Sequence, residues 1–209
     1  MAELEQLTEA IKKGDRNTGN KLTGEMIEAG RAPDQILGAL ISGMEDVGRR
    51  FKANQMYVPE VLIAARAMKE SMVLLEPLLI EAGIRPKYTA VIGTVEGDLH
   101  DIGKNLVSMM WKGSNIGVVD LGTNVPAAKF ADAIREHNAQ VVGLSALLTT
   151  TMPGMQQATE TIREAGIDGV KIIVGGAPIT QAFADKIGAD AYAPDAASAV
   201  DVVKEILDT

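Results

Sequence analysis

The sequence contains no cysteine and only two histidines, His100 and His137, and both scarcities restrict its chemistry. Without cysteine there can be no disulfide, no thiolate zinc ligand and no cysteine nucleophile. A conventional zinc site would need at least one carboxylate in addition to the two imidazoles. His137 lies near a predicted helix end, where we expect a surface or helix-capping role. The composition therefore favours chemistry that uses a single histidine.

The chain also lacks an excess of positive charge and any long apolar run. It has 20 Lys and Arg against 28 Asp and Glu, a formal net charge of -8, which disfavours a nucleic-acid or anionic-membrane surface. No apolar run is long enough to span a bilayer, and the N-terminal residues lack the basic start and apolar core of a signal peptide. We therefore expect a cytoplasmic protein with no nucleic-acid partner and no membrane partner.

The N-terminal part of the chain predicts helices only. Its apolar residues recur at helical spacing and indicate four short helices, with Pro33 and Pro59 suited to helix starts. The segment Glu81 to Tyr88, which contains Gly83 and Pro86, breaks this periodicity. The pattern predicts a small all-helical (four-helix) cap domain over residues 1–82 and a linker over residues 83–88.

From Thr89 onward, short β-branched runs alternate with helical segments. This alternation predicts an α/β domain over residues 89–209, with a Rossmann-like, doubly wound, five-stranded parallel sheet. Each predicted strand ends in small or polar residues, so backbone at the carboxyl edge can approach a ligand closely. The predicted strands are Ala90 to Val95, Ile116 to Leu121, Val141 to Ser145, Ile172 to Val174 and Ala191 to Ala193.

The turn Gly97-Asp98-Leu99-His100-Asp101-Ile102-Gly103 follows the first predicted strand. It therefore lies at the carboxyl edge of the sheet, where ligands bind in open α/β folds. The glycine spacing does not match a dinucleotide fingerprint, and the acidic residues of the turn would repel a pyrophosphate. A ligand other than a phosphate is expected.

Asp98 lies two residues before His100, so its carboxylate can accept the proton of one ring nitrogen and leave the other free for a metal. One protein ligand cannot hold a hydrated first-row metal ion tightly. We therefore expect the metal to arrive in a macrocycle, either a haem or a corrin. A structural histidine on a turn is the alternative.

The stretch from Gly97 to Asn105 resembles the signature of cobalamin-binding proteins of the methionine synthase type and of corrinoid proteins that serve methyltransferases. Ser145-Ala146-Leu147-Leu148-Thr149 is similar to the second motif of that family, and Val174-Gly175-Gly176-Ala177 to its third. The helical part resembles the N-terminal cap of the family in two segments, Val47-Gly48-Arg49-Arg50-Phe51 and Met56-Tyr57-Val58-Pro59-Glu60.

The resemblance implies a role for each matching residue. His100 would be the lower axial ligand of cobalt, with Asp98 bonded to the far side of its imidazole and Thr151 continuing the relay in a position where the family often has serine. Phe51 and Val58 would shield the upper face of the corrin from the helical cap. The other expected cofactor-binding residues are Gly97, Asp101, Ile102, Gly103, Ser145, Leu147, Thr149, Gly175, Gly176 and Ala196, the last on the final loop of the pocket.

The same resemblance implies a non-catalytic methyl carrier that binds cobalamin or a related corrinoid. It would accept a methyl group on cobalt(I) from a substrate-specific methyltransferase, with a methoxylated aromatic, methylamine, methanol or betaine as substrate. A second methyltransferase would pass the methyl to tetrahydrofolate or a thiol, and a reductive activator would restore the cobalt. The alternatives are a cobalamin-dependent sensor or regulator, an adenosylcobalamin mutase subunit, and an unrelated metal or phosphate binder.

Overall fold

A computed structural model describes residues 2–207 of the chain, and these residues divide into two compact units. The first unit contains residues 2–86 together with 113–115, and the second contains residues 87–112 and 116–207. The outer ends of the two predicted domains, residue 1 and residues 208–209, lie outside the described residues. Over residues 2–207, no helix has the length and apolar character needed to cross a membrane.

The first unit is helical, as predicted from the apolar spacing. Its two later helices are 20 and 24 residues long, so they are not the short helices that we expected. Pro33 is the first residue of the third helix, and the side chain of Glu60 accepts the backbone N–H of Tyr57 at the start of the fourth. The helices are Ala2–Lys12 (α1), Arg16–Glu28 (α2), Pro33–Lys52 (α3) and Val58–Glu81 (α4).

Close packing of α1 against α3 depends on a glycine. A Cβ atom added at Gly43 would lie 2.7 Å from the Cβ of Ile11, so the two helices can approach this closely only without a side chain there. Leu7, Ile11, Leu40 and Met44 are buried around this contact. The core of the first unit is therefore formed by the apolar positions that the sequence pattern indicated.

The second unit contains the predicted parallel sheet, with the strand order β2-β1-β3-β4-β5. All of its pairings are parallel, and helices alternate with the strands along the chain, which confirms the doubly wound fold. The strands are Tyr88–Thr94 (β1), Ile116–Asp120 (β2), Val141–Ser145 (β3), Lys171–Gly175 (β4) and Ala191–Tyr192 (β5). The helices are Ile102–Gly113 (α5), Ala127–His137 (α6), Met152–Glu164 (α7), Gln181–Ile187 (α8) and Ala196–Leu207 (α9).

Both faces of the sheet are covered by helices. On one face, the ring of Phe130 in α6 packs against Gly93 of β1. A Cβ added at Gly93 would lie 2.7 Å from this ring. On the other face, Trp111 of α5 packs at Gly143 of β3, and its indole N–H donates to the carbonyl of Ala199 in α9 at 3.0 Å. Large aromatic side chains over glycines bring the helices close to the strands.

The strand order creates a switch point between β1 and β3. The chain leaves β1 toward β2 on one side, whereas β3, β4 and β5 lie on the other side. At such a point the loops that follow the two central strands diverge and leave a crevice at the carboxyl edge of the sheet. Here those loops are the turn that contains His100 and the segment that follows Ser145.

Candidate functional site

His100 lies in the turn between β1 and α5, held by the carboxylate of Asp98. The distance from Asp98 Oδ1 to His100 Nδ1 is 2.8 Å, and the same oxygen accepts the backbone N–H of His100 at 3.0 Å. The Asp98 side chain is fully buried, whereas half of the His100 side chain is exposed. With Nδ1–H donated to Asp98, Nε2 is the ring nitrogen that can bind a metal.

The second oxygen of Asp98 joins this turn to the segment after β3. Asp98 Oδ2 accepts the backbone N–H of Leu147 at 2.7 Å and the hydroxyl of Thr151 at 2.7 Å. Thr151 is buried at the end of a 3₁₀ turn, Thr149–Thr151. A single carboxylate therefore links the two loops on either side of the switch point.

The ionisation of Asp98 follows from these contacts. Burial alone raises the pKa of its carboxyl, but hydrogen bonds from the backbones of His100 and Leu147, from Thr151 and from the His100 ring outweigh this effect. Together they hold the pKa of Asp98 far below its ordinary value. Asp98 is therefore a permanent anion near neutral pH, and it favours the Nδ1–H form of His100.

The hydroxyl of Thr151 has a second partner. Its oxygen lies 2.9 Å from the carbonyl of Leu148 as well as 2.7 Å from Asp98 Oδ2. A hydroxyl has one proton to donate, so it donates to the anion, which forms the stronger hydrogen bond. If Asp98 held a proton on Oδ2, Thr151 could accept that proton and donate to Leu148 instead. The hydroxyl is thus compatible with either protonation state of the carboxyl.

Large apolar side chains lie exposed near His100. Leu99 is 72% exposed, Ile102 78% and Leu147 43%. Among residues 2–207, no three His, Cys, Asp or Glu side chains come together as a conventional metal site requires. A single imidazole beside exposed apolar side chains instead fits a flat metal-containing macrocycle, whose own ring nitrogens supply the other ligands. The residues present therefore fit a corrinoid.

Most of the other predicted cofactor residues lie at the same edge of the sheet. They share positions at or just after the carboxyl ends of β1, β3 and β4: Gly97, Asp101, Ile102, Gly103, Ser145, Thr149, Gly175 and Gly176. Ser145 is directly paired with Thr94 on one side and with Gly175 on the other. Asp101 accepts the side-chain amide of Asn105 at 3.0 Å.

Gly176 is required for packing within the protein. A Cβ at this position would lie 1.8 Å from the carbonyl oxygen of Ala146, and the φ of +130° also disfavours other residues. At Gly175, a Cβ would lie 3.0 Å from the carbonyl oxygen of Ala193. We expected these glycines to let backbone approach a ligand. The structure adds that they also let neighbouring loops of the same unit approach each other.

The placement of Ala196 on a loop was wrong. Ala196 is the first residue of α9 and is buried, because the helix begins directly after Asp195, whose side chain accepts the N–H of Ser198. Phe51 and Val58 are half-buried residues of the first unit, near the end of α3 and at the start of α4. Their expected shielding of the corrin stays a prediction.

The sequence pattern did not single out three further side chains around the His100 turn. Thr94 Oγ1 donates to the carbonyl of His100 at 2.8 Å. Lys104 is buried, and its ammonium group donates to both oxygens of Asp120 at 2.6 Å. The side chain of Asn124, on the loop after β2, accepts the backbone N–H of Gly97 in the turn. The only sequence signal for Asn124 was its position among small and polar residues at a strand end.

Most of the chain matches families of B12-binding domains. A family described as B12 binding domain matches residues 88–203, and a second family of the same description matches residues 3–76. The chain is 41% identical to the dimethylamine corrinoid protein of Methanosarcina barkeri, with 98% of this chain and 97% of that protein covered. It is also 41% identical to the trimethylamine corrinoid protein of the same organism, with 95% and 94% covered.

A solved structure supports the same assignment. The methanol:cobalamin methyltransferase complex MtaBC from Methanosarcina barkeri contains a chain that superposes with a TM-score of 0.89 and 29% identity. The match covers 99% of this chain and 80% of that one. The fold and the histidine turn thus define a cobalamin-binding α/β protein with a helical N-terminal part. The chain belongs to the B12-binding family, and the predicted resemblance to corrinoid proteins of methyltransferase systems is confirmed.

Proposed function

We propose that the chain carries methyl groups between two methyltransferases on a bound corrinoid. The observation that supports this most strongly is the buried Asp98 carboxylate, which holds His100 at the switch point with Nε2 available. When bound, the corrinoid supplies a cobalt centre that can accept and release a methyl group.

His100 would hold the corrinoid by binding its metal through Nε2. Asp98 Oδ1 keeps the proton on Nδ1 and so presents Nε2 with its lone pair free. The Asp98 anion, 2.8 Å from Nδ1, would hold the imidazole in the orientation that presents Nε2 to the metal. Thr151 supports that anion by donating to Oδ2. Asp98 and Thr151 would thus position His100 for ligation.

We propose that the methyl donors are methylamines. High-coverage relatives at 41% identity are dimethylamine and trimethylamine corrinoid proteins, whereas the chain of the methanol complex shares 29% identity. The proposal therefore includes a methylamine-specific methyltransferase as the first partner. It also includes a second methyltransferase with a tetrahydrofolate or thiol acceptor, and a reductive activator of the cobalt.

The substrate proposal is tested with the corrinoid-loaded chain and the dimethylamine, trimethylamine and methanol methyltransferases of Methanosarcina barkeri. The chain is reduced, mixed with one enzyme and its methyl donor, and followed by visible absorbance. We expect methylation with a methylamine enzyme at a rate at least about tenfold above that with the methanol enzyme, since partner surfaces discriminate by differences in affinity. Methylation by the methanol enzyme alone would refute the methylamine class and leave corrinoid binding intact.

A further inference from the structure

The loop after β2 stays alongside β1 beyond the regular sheet. The backbone N–H of Thr94 donates to the carbonyl of Gly122 at 2.9 Å, and the N–H of Val125 donates to the carbonyl of Thr94 at 3.0 Å. Val95 and Val125 form an isolated parallel bridge. The segment 121–125 is therefore held against the chain that leads into the His100 turn.

Asn124 uses both its backbone and its side chain to hold that turn. Its backbone N–H donates to the carbonyl of Asp98 at 2.9 Å, and its Oδ1 accepts the backbone N–H of Gly97 at 2.7 Å. Asn124 has a φ of +52°, and asparagine is one of the few residues that adopt this left-handed conformation readily. The neighbouring Gly97 also has a positive φ, of +83°.

We propose that Asn124 is a positioning residue for His100, an inference that rests on the proposed role of His100 as a cobalt ligand. Asp98 fixes the imidazole ring, and Asn124 fixes the backbone on both sides of the Gly97–Asp98 peptide bond. Thr94 holds the carbonyl of His100 from the strand side. Loss of the Asn124 side chain would free the Gly97 N–H and let the Asp98 carboxylate shift relative to the ring. Such a shift would weaken ligation, because neighbouring residues must hold the imidazole within a fraction of an ångström of its binding position.

The test uses substitutions that separate the side-chain hydrogen bond from the backbone conformation. Asn124→Gly removes Oδ1 and keeps the left-handed backbone, and Asn124→Asp keeps an acceptor oxygen. Asn138→Gly is the matched control, because Asn138 also has a left-handed φ, of +48°, but caps the C-terminal end of α6. Each protein is loaded with methylcobalamin, and the fraction with a lower nitrogen ligand is measured from the visible spectrum. The cobalt(II) form is measured by electron paramagnetic resonance, which detects an axial nitrogen directly.

The spectra are recorded under conditions in which the wild-type protein is partly ligated, so that changes in either direction are visible. We expect Asn124→Gly to lower the equilibrium constant for ligation roughly three- to tenfold, the effect of one hydrogen bond. Asn124→Asp should retain most of the wild-type ligation, and Asn138→Gly should match the wild type. Equal ligation in Asn124→Gly and the wild type, or equal losses in Asn124→Gly and Asn138→Gly, would overturn the inference. If His100→Ala has the wild-type spectrum, the ligand role itself fails, which is a separate result.

Discussion

The electrostatic centre of the site is a single residue, Asp98. Its carboxylate is buried, yet it stays ionised because backbone and side-chain donors from two loops surround it. A folded-state pKa below the unfolded value means that the unfolded chain takes up the proton first as the pH falls. The stabilisation from Asp98 is therefore complete well above the ordinary pKa of about 3.9 and is lost progressively below it.

Asp98→Asn should lower the free energy of unfolding of the cofactor-free protein on the order of 2 kcal/mol near neutral pH, and less at low pH. Asparagine lacks the negative charge that these hydrogen-bond donors surround. The charge stabilises the folded state least at low pH, where Asp98 is protonated in the unfolded chain. Urea unfolding followed by the fluorescence of Trp111, the single tryptophan, reports on the unit that contains Asp98.

Asp132→Asn is the matched control, since Asp132 is an exposed carboxylate on α6 of the same unit. It should have a small effect on unfolding at both pH values. A difference between wild type and Asp98→Asn that stays constant between about pH 7 and pH 3 would contradict the assigned ionisation of Asp98.

Hydrogen bonds between residues that lie close along the chain could be predicted from the sequence. Asp98 lies two residues before His100, and the structure has the hydrogen bond that this spacing suggested. Thr151 was implied only by resemblance, because its contact with Asp98 spans 53 residues. Asn124 could not be predicted, since its role depends on how the loop after β2 runs beside β1.

At the scale of elements, the strand runs were predictable and the strand order was not. β-branched runs alternating with helical segments indicate parallel strands wherever they occur. The order β2-β1-β3-β4-β5 depends on which side each crossover takes, and single strands carry little information about that choice. Ala196 was expected on a loop and is instead the first residue of α9, because the residues from Asp195 onward can form either a loop or a capped helix.

Gly176→Ala tests how tightly the loops at the carboxyl edge pack. The added methyl would overlap the carbonyl of Ala146, and the backbone would have to move. We expect a loss of about 3 kcal/mol in the free energy of unfolding, measured by urea unfolding with Trp111 fluorescence. Gly169→Ala is the control, because Gly169 also has a positive φ but open space around it, and it should lose only about 1 kcal/mol. Equal losses would show that backbone strain, rather than the Ala146 contact, determines the effect.

At the scale of the whole molecule, the chain divides into two compact units, and a short segment leads from α4 of the first to β1 of the second. Helix α4 ends at Glu81 and β1 begins at Tyr88, and Gly83 adopts a φ of +71° between them. A carrier that serves two enzymes must expose its cofactor to each of them. We propose that this segment acts as a hinge for the helical unit, as the break in helical periodicity suggested.

Arg85→Pro, next to Pro86, should stiffen the segment, because consecutive prolines restrict the backbone. We expect the rate of methyl transfer to fall about tenfold while corrinoid affinity stays within about twofold, since gating motions affect turnover more than binding. Arg85→Ala controls for loss of the exposed side chain. Equal losses of rate and affinity in Arg85→Pro would argue against a hinge.

The role of His100 as the cobalt ligand can be tested by the visible spectrum of the methylcobalamin-loaded protein. The comparison is between the wild type, His100→Ala and His137→Ala, the last an exposed histidine at the end of α6. Ligation by His100 predicts that only His100→Ala shifts toward the spectrum of the cofactor without a lower nitrogen ligand. A His100→Ala spectrum that coincides with that of the wild type would show that His100 is not the ligand.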